Sequence, residues 1–125
     1  MLTPAQKKAL ESAHRRRGPK SKYRAKKVTI DGHTFDSKKE GRRYTDLKLL
    51  AASGNISNLR LQPRFALHAV DREMLWVRIG YYIADFEYIE NGEKVIEDVK
   101  GMKTPVYRWK KKHFEVEYGI NIRET

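Results

Sequence analysis

The sequence predicts an α/β domain built on a mixed sheet, and three observations carry that expectation. Residues Lys27–Phe35 alternate around Asp31-Gly32, the kind of pair that a type I′ hairpin turn favours. Residues 36–54 repeat apolar side chains at helical spacing between a capping residue and a glycine. Two β-rich stretches, Leu75–Ile89 and Lys94–Lys100, flank Asn91-Gly92, and a second helical segment with Pro105 in its first turn follows them. Strands interleaved with helices in this order belong to the α/β layer architectures.

Each element has a local reason. Asp36 or Ser37 can cap the first helix, and Gly54 can end it. At about 100° per residue, Glu40, Tyr44, Leu47 and Ala51 share one face, with Leu50 beside them. Leu59–Leu67 reads as a strand interrupted by Pro63, which suits an edge or a bulge. The second helix is expected over Lys103–Tyr118. Its broad apolar arc holds Tyr107, Trp109, Phe114, Val116 and Tyr118, which are core residues on the plain reading and stacking platforms on the other. Lys110 falls inside this arc and either snorkels or reaches toward a phosphate. Ile120–Arg123 can add a last short strand. The expected order is hairpin, helix, three strands, helix, strand.

Composition narrows the function. A chain of 125 residues suits one domain, and 39% apolar residues are enough for a modest core. The absence of cysteine excludes disulfides, thiolate zinc sites and thiol nucleophiles. Four scattered histidines do not suggest a metal cage. No apolar stretch approaches the roughly 20 residues of a membrane span, and the first twelve residues lack a signal-peptide core. A soluble, cytoplasmic protein with an anionic partner is the expected class. The net charge is +11, of which residues 1–50 supply +10. Residues 1–22 are expected to form a basic flexible arm and residues 23–125 the folded domain. Arg15, Arg16, Arg17, Lys20, Lys22, Arg24, Lys26 and Lys27 are candidate phosphate contacts, together with Lys38, Lys39, Arg42 and Arg43 near the first helix. Such groups bind nucleic acid through counterion release; the plain alternative for the arm is a solvated tail. No Trp- or Leu-rich face accompanies the charge, which disfavours a membrane surface.

The acidic residues are more specific. If Asn91-Gly92 is a two-residue loop, Glu90 faces Glu93, and reading outward sets Asp85 opposite Asp98 and Ile83 opposite Lys100. The period of two then places Asp85, Asp98 and Lys100 on one largely apolar face with Val77, Ile79, Ile83 and Ile96. Opposed carboxylates repel one another, and a hard divalent cation relieves that repulsion. An ammonium beside them can orient a water and stabilise charge on a phosphate. The plain alternative is a solvent-facing strand pair with ordinary charges. Glu40 is unexpected on an apolar helix face. It is a third carboxylate for the same site or the partner of Ser37 in a capping box, and both hold if the helix start abuts the site. Glu97 adjoins Asp98, but only Asp98 shares a face with Lys100. Gln62 either approaches the site or satisfies backbone at a strand end.

The ordered set Glu40, Asp85, Asp98-Val99-Lys100 and Gly101 resembles the PD-(D/E)xK nuclease superfamily, with Ala84 where a proline often stands. More narrowly, KYRAKKVTIDGHTFDSKKEGRRY, LQPRF, YYIADFEY and VIEDVKGMKTPVYRWKKKHFE resemble a group of small phage and prophage proteins of that superfamily, over about Lys22 to Ile122. The resemblance implies a restriction-endonuclease-like core, α-β-β-β-α-β, with a mixed sheet flanked by helices. It also implies Mg²⁺-dependent hydrolysis of DNA phosphodiester bonds, with Mn²⁺ substituting. Asp85 and Asp98 would hold the metal, Lys100 would position the attacking water, and Glu40 would assist. Small phage members include Holliday-junction resolvases, so branched DNA is the expected substrate, and a symmetric junction would favour a homodimer. The rival readings are a non-catalytic nucleic-acid-binding module and a nicking or end-processing nuclease acting on ordinary duplex.

Overall fold

A computed structural model describes residues 3–6 and 26–125. The elements run β1 (Val28–Ile30), β2 (His33–Phe35), α1 (Lys38–Ala52), β3 (Ser57–Leu61), β4 (Arg64–Val70), β5 (Trp76–Ile83), β6 (Phe86–Glu90), β7 (Glu93–Asp98), α2 (Pro105–Tyr118) and β8 (Arg123–Glu124). A four-stranded mixed sheet has the order β3-β6-β7-β8. Its first two pairings are antiparallel, and β8 runs parallel to β7. β1–β2 and β4–β5 form separate antiparallel hairpins. The chain is therefore α/β with a mixed sheet, as the sequence leads one to expect.

Local chemistry explains the ends of the elements. Asp31-Gly32 and Asn91-Gly92 both take positive φ at both positions, the backbone of a type I′ turn. The Ser37 hydroxyl accepts the Glu40 N–H at 3.1 Å and caps α1. Thr104 does the same for Tyr107 at the start of α2, with Pro105 in the first turn. Gly41 lets α1 lie close on the first hairpin, since a Cβ there would come within 2.6 Å of Val28 Cγ2.

The three strands expected between the helices are five. Leu59–Leu67 breaks at Gln62-Pro63, where Gln62 has φ 50° and Pro63 has no N–H for a ladder. Leu75–Ile89 breaks at Ala84-Asp85, so β5 pairs with β4 while β6 joins the sheet. Alternation fixes which face a residue takes within a strand; it does not fix which sheet the strand joins. Ile83 consequently pairs with Arg64, not with Lys100. Val77, Ile79 and Ile83 are exposed and do not share the face of the acidic pair.

Two apolar layers enclose the sheet. Phe35, Tyr44, Leu47, Ile56, Phe86, Tyr88 and Val99 pack on the α1 side. Leu67, Tyr82, Ala84, Ile96, Phe114 and Ile122 pack on the α2 side. Burying one large aliphatic or aromatic side chain of this kind contributes about 1.5–3 kcal/mol. Of the arc expected to be core in α2, Phe114 is buried, whereas Trp109, Val116 and Tyr118 are exposed. The arm expected over residues 1–22 lies, apart from residues 3–6, outside the described residues, as do Arg15, Arg16, Arg17, Lys20, Lys22 and Arg24. Among the described residues no helix is long and apolar enough to cross a membrane.

Candidate active site

The Asn91-Gly92 turn sets the register that builds the site. Glu90 pairs with Glu93, and the ladder runs back to Phe86 opposite Glu97. One step further, at the strand interruption before β6, the Asp85 N–H donates to the Glu97 carbonyl at 3.1 Å and to Asp98 Oδ1 at 3.1 Å. Asp85 Oδ2 in turn accepts the Val99 N–H at 2.7 Å. The two aspartates thus lie side by side at the strand ends. The Gln62 N–H donates to the Asp85 carbonyl at 2.9 Å while its side chain is exposed, so Gln62 supports the site through its backbone.

Lys100 and Glu40 complete the cluster. Lys100 Nζ is 3.8 Å from Asp98 Oδ1 and lies over the Tyr107 ring at 4.5 Å. The Glu40 carboxyl reaches Asp85 from the first turn of α1. Half of the capping box forms, through the Ser37 hydroxyl, while the Glu40 carboxyl faces Asp85. Burial, then the charges of Asp85 and Asp36, push the Glu40 carboxyl up to about 7. Burial likewise pushes Asp98 up to about 6 against the pull of Lys100. It also raises Asp85, against the Val99 N–H and Lys100. All three carboxyls hold their protons more tightly than usual, because burial outweighs the Lys100 ammonium and the backbone donors that favour their charged forms.

Glu97, one residue away, has the opposite surroundings. It points to the α1 side and is fully buried. Arg43 grips it through two bonds of 2.7 and 2.9 Å, Tyr88 donates at 2.6 Å, and Thr125 donates at 3.2 Å. Burial alone would raise Glu97, but Arg43 and Tyr88 outweigh it and hold the carboxyl below its usual range. Arg43, grouped in the sequence with phosphate-binding residues, is thereby committed to the interior. Lys26, Lys27, Lys38, Lys39 and Arg42 are exposed. Lys110 is exposed too, but it lines a groove against β4–β5; Tyr107 is the α2 residue that meets Lys100.

Several residues of the site gave no clear signal in the sequence. The Tyr82 hydroxyl, from β5, donates to Asp98 Oδ2. Tyr107 bonds Glu124 Oε2 at 3.0 Å, and Lys103 and Lys111 flank that glutamate at 3.4 and 3.0 Å. A cleft of about 330 Å³ beside Tyr107 is lined by Lys103, Arg108, Lys111 and Lys112 and by two acids, Glu115 and Glu124. The spacing of Arg108, Lys111 and Lys112 along α2 shows a charged face, but the fold alone brings that face beside Tyr107, over which Lys100 lies.

Among the described residues no three His, Asp or Glu side chains form a ready-made metal cage. The donor set nonetheless fits a hard divalent cation in its chemistry: clustered carboxylates, short of positive charge, with no sulfur or imidazole among them. No curated protein and no solved structure matches the chain. Residues 20–125 match the family model described as "Protein of unknown function (DUF1064)", and the chain belongs to that family.

Proposed function

We propose that this chain is a metal-dependent DNA endonuclease of phage or prophage type, with the core of the PD-(D/E)xK nucleases. Set aside the β4–β5 hairpin, and the elements from α1 onward follow the order α-β-β-β-α-β. The observation that carries the reading is the meeting of Asp85, Asp98, Lys100 and Glu40 at the ends of β6 and β7, with all three carboxyls raised chiefly by burial. A purely structural acidic cluster has no reason to be left short of positive charge, as the compensated Glu97 illustrates.

Asp85 and Asp98 would hold Mg²⁺, or Mn²⁺ in its place, with Glu40 beside them. When bound, the ion would supply Lewis-acid polarisation of the phosphoryl oxygen and a more acidic water. The chain's own residues do the positioning. Asp98 and the Tyr107 ring hold the Lys100 ammonium in place, where it can orient the attacking water and stabilise charge growing on the phosphate. The Asp85–Val99 and Asp85–Asp98 backbone bonds fix the carboxylates on rigid strand ends. Arg108 and Lys112 in the cleft beside Tyr107 and the exposed Lys38, Lys39 and Arg42 offer phosphate contacts. Branched DNA such as a four-way junction is the proposed substrate, and a homodimer the proposed assembly on it.

One observation favours the rival, a non-catalytic nucleic-acid-binding module: both Asp98 oxygens already accept protein donors. Incubation with Mg²⁺ and labelled duplex, single strand, flap and four-way junction separates the two. Cleavage that needs Mg²⁺ and is fastest on the junction supports the proposal. Cleavage fastest on plain duplex keeps the enzyme but replaces the substrate. Binding of all four DNAs without cleavage, with either Mg²⁺ or Mn²⁺, supports the binding module.

A further inference from the structure

We propose that the groove between the β4–β5 hairpin and α2 takes unpaired nucleotides of the DNA substrate, their bases stacked on Trp76 and Trp109 and their phosphates on Lys110 and Lys112. The proposal deepens the nuclease reading and rests on it for the identity of the strand as DNA.

The groove has a volume of about 690 Å³, within the range of small-ligand sites. Its floor is apolar, with Leu67, Val70, Ile79 and Val116. Its walls carry two indoles left in solvent, Trp76 at 68% exposure and Trp109 at 84%. Large aromatic faces exposed together mark a binding surface rather than a packing accident. Stacking on nucleobases is the use that needs flat faces instead of a closed pocket.

The charge at the groove selects the partner. Lys110 and Lys112 line it, and among the described residues neither makes an ion pair, whereas Lys111 between them is held by Glu124 at 3.0 Å. The acid in the wall, Glu117, is occupied: it accepts the His68 N–H at 2.6 Å and the His68 ring at 2.9 Å, with the His113 ring at 3.4 Å. His113 also bonds the His68 carbonyl at 2.7 Å. This lattice ties β4 to α2 and sets the width of the groove before any ligand arrives. A second copy of the chain is the less suitable occupant. A two-fold contact sets a patch against itself and would bring Lys110 and Lys112 of both copies together. An anionic, aromatic strand suits both the lysines and the indoles.

The groove also communicates with the candidate active site. Lys112 lines both the groove and the basic cleft beside Tyr107, on which Lys100 rests. The two surfaces are thus separated by α2, about 10–12 Å across with its side chains. An unpaired strand crossing this helix would place its bases in the groove and a nearby phosphate at the cleft. Such a strand exists at a flap, a nick or a junction that breathes, and not in closed duplex.

The test is a metal-free titration of the full chain, in EDTA, with oligothymidylate and with a fully paired duplex. It follows tryptophan fluorescence and, separately, the anisotropy of labelled DNA. Oligothymidylate should quench the indole emission saturably. Trp76→Ala and Trp109→Ala should each weaken single-strand binding about tenfold, the loss expected for one stacked base. Duplex affinity should change less than twofold. Trp109→Phe, which keeps a smaller stacking face, should fall in between. Lys110→Gln with Lys112→Gln should make the single-strand salt dependence shallower by about 0.7 per lost contact. Both indoles are exposed, so circular dichroism should report an unchanged fold.

Unchanged single-strand affinity in both alanine variants would overturn the proposal, as would an equal loss on duplex. A wild-type dimer that either alanine variant turns into a monomer in sedimentation would assign the groove to a second copy instead. Tighter binding of oligouridylate than of oligothymidylate would assign it to RNA. Mg²⁺-dependent cleavage by the wild type, measured in parallel, keeps the two readings apart: its absence sinks the nuclease, while an unquenched, unweakened titration sinks the groove.

Discussion

The two faces of β7 carry acids of equal burial and opposite condition. Glu97 points toward α1, where Arg43 balances its charge and the Tyr88 and Thr125 hydroxyls donate to it. Asp98 points the other way, beside Asp85, which in turn neighbours Glu40, and the Lys100 ammonium lies 3.8 Å from Asp98. The first carboxyl is held below its usual range and the other three are held above theirs. Burial is common to both, so it does not explain the difference; the supply of positive charge does. A buried acid that belongs to the framework is given its partner by the fold. On the proposed function, the acids of the other face are left short of positive charge because a bound metal would supply it.

The largest expected effects break this contrast from each side. Asp85→Asn and Asp98→Asn should each abolish DNA cleavage while leaving DNA affinity equal or tighter, as read by labelled-substrate turnover and binding. Metal-free thermal stability should hold or rise in both, since each removes a repelling charge. Arg43→Ala should do the reverse on the other face. It strands Glu97 as an uncompensated buried charge and should cost about 3–5 kcal/mol in a denaturant titration. Loss of stability in the aspartate variants equal to that in Arg43→Ala would show that the two faces are alike.

Lys100→Ala comes next. Loss of one charge-stabilising donor typically costs about 10²–10³ in rate, and turnover should fall far more than affinity does. A drop confined to affinity would make Lys100 an ordinary phosphate contact.

The pH dependence of stability should differ in sign between the faces. With Glu40 at about 7 in the folded chain and about 4.3 when unfolded, the unfolded state releases its proton first as pH rises. Metal-free stability from Glu40 is therefore lost progressively between those values, and the penalty is complete above about pH 7. Glu97 runs the other way: its contribution is present at neutral pH and is lost as pH falls through its depressed value. Glu40→Gln should accordingly gain on the wild type in melting temperature between pH 5 and pH 8. A constant offset across that range would favour a role for Glu40 in helix capping alone.

The smallest effect concerns the basic segment. Deleting residues 1–22 removes seven basic groups and one acid. Duplex affinity should weaken, and its salt slope should become shallower by roughly 0.9 per lost phosphate contact. Cleavage at low salt and high protein should persist. An unchanged slope would make the segment a solvated tail.

Much of the site was legible because a two-residue turn is local chemistry. Asn91-Gly92 sets the β6–β7 register, and the register alone carries Asp85 to Asp98 and leaves Glu97 on the other face. Ser37, Thr104 and Pro105 likewise announce the helix starts. What stayed hidden depends on distant pairing. Nothing along the chain says that the run ending at Ile83 leaves for β4, so Val77 and Ile79 could not be read as exposed. The Arg43–Glu97 pair spans 54 positions, and Tyr82 reaches Asp98 from a different sheet. The connection between β4 and β5 was missed for a related reason. It is closed by Asp71 Oδ1, which accepts the N–H groups of Glu73 and Leu75, and by Met74 at φ 65°, with no glycine to mark it.

The most direct test of the contrast between the faces is a thermal melt of the wild type and Asp85→Asn with and without Mg²⁺. A ligand that binds only the folded state raises its stability by RT ln(1 + [L]/Kd). Mg²⁺ should therefore raise the wild-type melting temperature in proportion to the logarithm of its concentration, most at pH 8, above the values of about 7 and about 6 to which Glu40 and Asp98 are pushed. It should leave Asp85→Asn nearly unmoved. A wild type that Mg²⁺ does not stabilise at any concentration, or an equal shift in both proteins, would contradict the claim that this cluster is built short of a cation.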